Sequence, residues 1–317
     1  MRTLSLQEQR HIARWMYRNA RPLELAIWQF HFEDGGLVPI LKALSAYQNE
    51  DGGFGQAVEA DNWNPDSTPY STGRVAILLD EIGFQDRLHP IATGMLRYLE
   101  QTPTFTGKGW PAVVPSNDKA PHAPWWTWSE DVTAWGFTPT LKLCGFILRF
   151  AEPGAALRLQ AESIVREAVD TYLRGRLPDG TLYRGINREG ELEGFSYLLR
   201  YMEAEKNDSL GERDALRVAL QEQASAFIER SPARWGGYCV RPSTLIDGPT
   251  CVFHAGNEAV IEAEIGYLMD TRNADGVWDI IWSWGAYDKA FAIAENWWRG
   301  TFVIRHMLLF RNFGRLA

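Results

Sequence analysis

The 317-residue sequence predicts an all-α fold, an α/α toroid in which about six helical hairpins close into a ring as one domain over residues 1–317. Three observations predict it. Apolar residues recur at helical spacing in segment after segment, and no sustained period-2 segment stands outside the connections. A glycine turn followed closely by an aromatic occurs five times, at Phe54, Trp110, Tyr183, Tyr238 and Trp278. The intervals between Gly53, Gly109, Gly180, Gly237 and Gly276 are 56, 71, 57 and 39 residues, room for two helices or a little less. A lone hairpin cannot bury its apolar stripe, so repeated hairpins must pack on one another. An open solenoid is the alternative, disfavoured by the short intervals and the lack of polar capping repeats.

The elements follow in order. Residues 4–19 place Leu6, Ile12, Ala13, Trp15 and Met16 near helical spacing. Pro22 suits a helix start, and the run over 23–32 stops at Asp34-Gly35-Gly36. A third helix over 37–47 ends in Gln48-Asn49-Glu50-Asp51-Gly52-Gly53-Phe54-Gly55, whose paired glycines allow a positive-φ turn. Ser71-Thr72 is expected to cap a helix reaching Ile82, closed by Gly83. Helices over 88–101, 140–150, 155–173, 195–205, 212–230, 250–271 and 287–310 complete the chain.

Composition bounds the function. The net charge of −8 without a basic run argues against a nucleic-acid surface. No stretch reaches the ~18 apolar residues of a membrane span, and no signal-type apolar region follows the N-terminus. Three cysteines do not suggest a disulfide framework and fit a reducing cytoplasm, the expected location. Fourteen Trp is rich for this length, and several lie in connections. They either plug the ends of a barrel or line a cavity for an apolar or sugar-like ligand.

The turn Gln48-x-x-Asp51-Gly52-Gly53-Phe54-Gly55, followed by Ser67-Thr68-Pro69-Tyr70-Ser71-Thr72, resembles a prenyltransferase/squalene-oxidase repeat. Arg272-Asn273-Ala274-Asp275-Gly276-Val277-Trp278 is similar to the QW motif of squalene and hopene cyclases, with Arg in place of the usual Gln. The resemblance implies the α/α barrel shared by terpenoid cyclases and protein prenyltransferases, with the Gln capping a helix and the aromatic stacking beside it. It implies a hydrophobic, isoprenoid-like small molecule as partner. The acidic motifs of those cyclases, Asp-x-Asp-Asp and Asp-Asp-x-x-Asp, are absent from the sequence. Protein prenyltransferases hold zinc with Asp, Cys and His, and Asp247, Cys251 and His254 are the nearest set here, in a different order. A buried Cys and a hydrogen-bonded His are the other reading of that set. No cofactor follows.

The candidate site is built from aromatic and acidic residues together. Asp61, Glu130 and Asp131 are the candidate catalytic carboxylates, and Trp63, Trp126, Trp128, Trp135 and Trp284 the candidate ligand-binding aromatics. Aromatic planes interleaved with carboxylates suit a sugar ring or a developing carbocation. A packed aromatic lid, with the acids as caps or solvated groups, accounts for them equally. Asp66 or Ser67 is expected to cap the following turn. In a toroid, the loop around Trp63 and the segment 125–135 should lie at one end and supply two separated carboxylates. Three functions stay open: transformation of an isoprenoid-like ligand, a non-catalytic binding scaffold, and a carbohydrate-active barrel.

Overall fold

The structure, a computed structural model, describes residues 2–130, 136–178, 180, 182–183 and 188–317. Among these residues regular structure is helical, and β pairing is confined to isolated bridges such as Gln48 to Phe54 and Arg176 to Leu182. In chain order the helices are α1 (Leu6–Asn19), α2 (Pro22–Phe32), α3 (Leu37–Ser45), α4 (Pro69–Glu81), α5 (Pro90–Gln101) and α6 (Thr140–Phe150). There follow α7 (Ala156–Arg174), α8 (Arg188–Ala204), α9 (Arg213–Phe227), the short α10 (Pro242–Leu245), α11 (Glu258–Asp270) and α12 (Asp288–Asn312). The all-α class read from the sequence is the class observed.

The chain forms two compact units. A central unit spans Ser45–Leu220, and a terminal unit combines Met1–Leu44 with Gln221–Ala317. In the central unit α6 is the core element, with Leu141, Leu143, Cys144, Phe146, Ile147, Leu148 and Phe150 all buried. It packs on α4, α7 and α8, so α4, α6 and α8, alternate helices of the chain, come together around it. Close approach needs glycine here: a Cβ on Gly145 would sit 2.4 Å from the ring of Tyr197. In the terminal unit α12 packs on α1, α2 and α11, and α10 on α11.

The repeated turn is one hydrogen-bonded structure used twice. In the central unit Asn49 N–H donates to the Gly53 carbonyl (2.9 Å) and Gly52 N–H to the Asn49 carbonyl (2.9 Å). In the terminal unit Asn273 N–H donates to Val277 (2.8 Å) and Gly276 N–H to Asn273 (2.9 Å). Gly52 and Gly276 hold φ of 93° and 79°, a region that side chains disfavour. Gln48 Nε2 donates to Gly52 (2.9 Å) and to Ile91 (3.2 Å), tying the turn to α5. Arg272 takes that place in the other turn by donating to Met269 (3.3 Å) and pairing with Glu8 (2.5 Å). The aromatic after a glycine turn is anchored twice in the same way. Phe54 N–H donates to Thr72 Oγ1 (3.1 Å), and Trp110 N–H to Thr140 Oγ1 (3.0 Å).

Several boundaries differ from the sequence reading. Thr68, not Ser71-Thr72, caps α4, its hydroxyl accepting from Ser71 N–H (3.0 Å). Asp66 and Ser67 are not caps: Asp66 N–H donates to Asn64 (3.0 Å), and the Ser67 hydroxyl to Asp51 (2.6 Å). Helix α8 begins at Arg188, well before Phe195. Gly190 and Gly194 hide that start, since glycine disfavours helix by about 1 kcal/mol, yet Gly194 gains close packing on Leu141. Helix α11 begins at Glu258 rather than 250, after turns that include Gly256 at φ 80°.

Candidate functional site

On α4, the residues Tyr70, Arg74 and Leu78 keep partial contact with solvent while their neighbours are buried. Four-residue spacing puts them on one helix face. Arg74 Nε lies 3.6 Å from Glu59, and its Nη1 lies 3.9 Å from Glu193 of α8. Lys142 of α6, only 2% exposed, pairs with the same Glu193, whose side chain is 33% exposed. The Lys142 ammonium lies 5.8 Å from the Tyr70 ring centroid, a cation–π approach. The ring of Trp126 meets Tyr70 edge-on at 4.4 Å.

These residues form a charged cluster that keeps partial contact with solvent. Burial pushes the Tyr70 phenol well above its ordinary range, and Glu59 adds to that shift. Burial alone would lower the Arg74 guanidinium, but Glu59 and Glu193 keep it firmly charged. Further along the same helices, Asp80 of α4 pairs with Arg149 of α6 and lies 3.0 Å from Arg200 of α8. Both guanidinium groups stand within 6 Å of the Tyr197 ring, at 5.9 and 5.8 Å. Charge therefore continues along the face of α4, α6 and α8.

Local geometry explains how Glu59 reaches Arg74. Gln56 and Ala57 both take positive φ, at 56° and 62°, which is costly without glycine. Gln56 N–H donating to Asn64 (2.9 Å) and Val58 N–H to Gly55 (3.0 Å) close the loop over them. Three buried asparagines fasten it to the next connection. Asn62 and Asn64 both donate to Asn117 Oδ1, at 3.1 and 2.9 Å, and Asn117 donates to the Trp126 carbonyl at 3.1 Å.

The loop around Trp63 is tied to residues 121–123, which lead into the segment beginning at Trp125. Ala123 N–H donates to the Asp61 carbonyl (2.8 Å), and Trp63 N–H to Pro121 (3.0 Å). Asp61 is buried beneath this junction, and Trp63 Nε1 donates to Ala60 (3.0 Å). Trp126 is buried beside Tyr70, whereas Trp125 and Trp128 are each 37% exposed. Trp128 N–H is fixed by Asp118 (2.9 Å), and Glu130 is exposed. Asp131 and Trp135 lie outside the described residues. Trp284 belongs to the terminal unit and is core, 1% exposed and 5.8 Å from Phe291.

The zinc-type set does not assemble. Cys251 and His254 stand in turns ahead of α11 rather than on a helix, because the helix starts later. Burial pushes the Cys251 thiol up to about 11, with Asp247 adding to it, so the thiolate that zinc requires is disfavoured. Its Sγ points at the Leu245 carbonyl (3.3 Å), and the His254 ring packs 5.6 Å from Phe313. Among the described residues no group of three or more His, Cys, Asp and Glu converges as a ligand set.

Sequence reasoning missed Tyr70, Arg74, Lys142, Glu191 and Glu193. A signal existed for Lys142, a lone charge in the apolar run Thr140-Leu141-Lys142-Leu143-Cys144. Glu191 carried none. It is buried, accepts from Phe137 N–H (3.0 Å) and the Tyr183 hydroxyl, and burial pushes its carboxyl up to about 7. Its place on the helical wheel is across α8 from Glu193, so it braces the connection at 136–137 rather than joining the cluster. Comparison with family models, curated proteins and solved structures yields no match.

Proposed function

We propose that the cluster on α4, α6 and α8 binds a hydroxyl-rich, ring-bearing ligand of carbohydrate type, with Glu59 and Glu193 as a pair of carboxylates for acid–base chemistry. The observation that carries this reading is the sharing of one guanidinium. Both carboxylates reach Arg74, at 3.6 and 3.9 Å, so their oxygens stand within about 10 Å of each other, inside the span of paired-carboxylate chemistry. Lys142 and Tyr70 add donors, Glu189 a further acceptor on the α8 face, and Trp126 an aromatic neighbour. An apolar chain would leave these charges desolvated without new partners, whereas hydroxyl groups exchange for their hydrogen bonds.

On this reading the exposed indoles of Trp125 and Trp128 extend the site outward as stacking surfaces. For the scaffold we propose a closed α/α toroid related to the terpenoid cyclase and prenyltransferase barrels. The packing of the alternate helices α4, α6 and α8 in the central unit supports it, and so does the twice-used turn with its Gln48 and Arg272 ties. The isoprenoid function that this relationship implies rests on turn residues, which hold a scaffold and carry no chemistry.

A thermal-shift and calorimetric panel of neutral and acidic mono- and oligosaccharides, set against isoprenoid alcohols and diphosphates, tests the reading. Saccharide binding that falls at least tenfold in both Glu59→Gln and Glu193→Gln is the expected result, and turnover of the bound sugar should fall with it. Binding of the isoprenoids alone would overturn the proposal. Saccharide binding without turnover would leave the cluster a binding site and remove the acid–base step.

A further inference from the structure

The basic face of α1 is independent of that cluster. Arg10, Arg14 and Arg18 follow one another at four-residue intervals and are all exposed. None of the three has a hydrogen bond, ion pair or ring contact. Many other arginines of the chain are tied down, among them Arg2 to Asp270, Arg21 to Glu24 and Arg272 to Glu8. The net charge of −8 offers ample carboxylates, yet none stands opposite this row. The nearest acidic group at its edge, Glu33, is occupied by the Tyr17 hydroxyl and by Trp28 Nε1 (2.7 Å).

Between the arginines runs a shallow depression of about 380 Å³ lined by Arg10, Ala13, Arg14, Tyr17 and Arg18. Tyr17 is 53% exposed and Leu6, one turn before Arg10, is 58% exposed. The face thus combines an apolar floor with a row of cations about 6 Å apart, the rise of four helical residues. An α-helix laid alongside has the same repeat, so carboxylates at its own four-residue intervals meet the arginines in register. A phosphate backbone would satisfy the cations but would leave Ala13, Tyr17 and Leu6 without a matching apolar strip. An anionic bilayer offers both charge and apolar depth, and the vesicle arm of the test separates it from a helix.

We infer that the Arg10–Arg14–Arg18 face of α1 is a docking surface for an acidic amphipathic helix of a partner protein. Charge complementarity supplies its orientation, and the Ala13–Tyr17 floor supplies its contact area. Because these side chains hold up no part of the fold, they can be changed without disturbing it.

The test uses the full chain and a fluorescent designed helical peptide of about 20 residues, with Glu at every fourth position and Leu or Ala between. Anisotropy should report saturable binding that a Lys-for-Glu version of the peptide does not show. Arg10→Glu/Arg14→Glu/Arg18→Glu should weaken it at least thirtyfold with unchanged circular dichroism and Tm. Tyr17→Ala should weaken it about threefold to tenfold, through loss of the aromatic contact. Raising salt from 0.1 to 0.5 M should weaken it about tenfold, as surface charge pairs are screened. Equal binding of both peptides, or wild-type affinity in the triple Glu variant, would overturn the inference. So would concentration-dependent self-association in sedimentation, or capture by vesicles of phosphatidylserine, if the triple variant abolished either while peptide binding stayed absent.

Discussion

Along α4 the residues at four-residue intervals are Tyr70, Arg74 and Leu78, and they keep contact with solvent. Along α12 the same spacing carries Trp298, Phe302, His306 and Phe310, and the ladder closes on itself. Phe302 stacks on His306 at 5.6 Å, and Trp278 packs edge-on against His306 at 4.5 Å and near Phe310 at 5.9 Å. Burial holds the His306 imidazole neutral, far below its ordinary range. The acids divide in the same way. Glu264 of the terminal unit is fully buried, and Ser243 N–H (2.5 Å) and Oγ (2.7 Å) both donate to it. Glu193 of the central unit is one-third exposed and shared between Lys142 and Arg74. A carboxylate saturated by a local brace is architecture. One shared between two cations and still touched by solvent can exchange partners with a ligand.

The sharpest way to break this contrast is to cut the aromatic ladder. Trp278→Ala should cost about 3–5 kcal/mol, since it removes ring contacts and the hydrogen bond from Nε1 to Leu268 (2.9 Å). Urea unfolding measures it, and a loss below 1 kcal/mol would mean that the α12 stripe is not a packed core.

Glu191 gives the next effect. Its carboxyl is raised from 4.5 to about 7 in the folded chain, so its contribution is fully present below about pH 4.5 and lost as pH rises through about 7. The loss is on the order of 2–3 kcal/mol. The stability difference between wild type and Glu191→Gln should therefore change over that window and be flat above it. A difference that does not vary with pH would show that the carboxyl is not desolvated.

Lys142→Met probes the cluster itself. Removing the partner of a buried charge ordinarily costs 3–5 kcal/mol, but Glu193 retains solvent and Arg74, which reduces the expected loss to about 1–2 kcal/mol. Adding Glu193→Gln should recover part of it, and a double-mutant cycle without coupling would remove the pair from the site's architecture. Trp128→Ala should be the mildest, within about 0.5 kcal/mol in stability because the ring is exposed. If Trp128 is a stacking surface for the proposed sugar, affinity should nonetheless fall about threefold to tenfold.

Much of the scaffold was legible because its signals are local. The glycine turns declare themselves: Gly52 and Gly276 must take positive φ, and the same two backbone hydrogen bonds follow in each turn. Apolar spacing located α2, α6, α7 and α12 to within a residue or two. Boundaries failed where tertiary packing overrode propensity. Gly194 sits inside α8 because Leu141 needs the space, and Thr68 takes the cap while the Ser67 hydroxyl is held by Asp51.

The site was less legible, for a different reason. Aromatic and acidic residues drew attention to the loop around Trp63 and the segment 125–137, and the structure ties the first to residues 121–123 and, through Asn117, to the Trp126 carbonyl. Which side chains face a common space depends on three helices far apart in sequence. Tyr70, Arg74 and Glu193 look like ordinary helix residues until α4, α6 and α8 pack, and only Lys142 stands out, as a charge in an apolar run. The sequence by itself determined the helical class, the repeated turn and the acidic, tryptophan-rich character, all of which follow from neighbours within a few residues. Only the tertiary structure decided that Trp284 is core, that Cys251 and His254 stand apart from a ligand set, and that a shared arginine draws two distant carboxylates together, because burial and charge pairing are properties of packed helices rather than of their order.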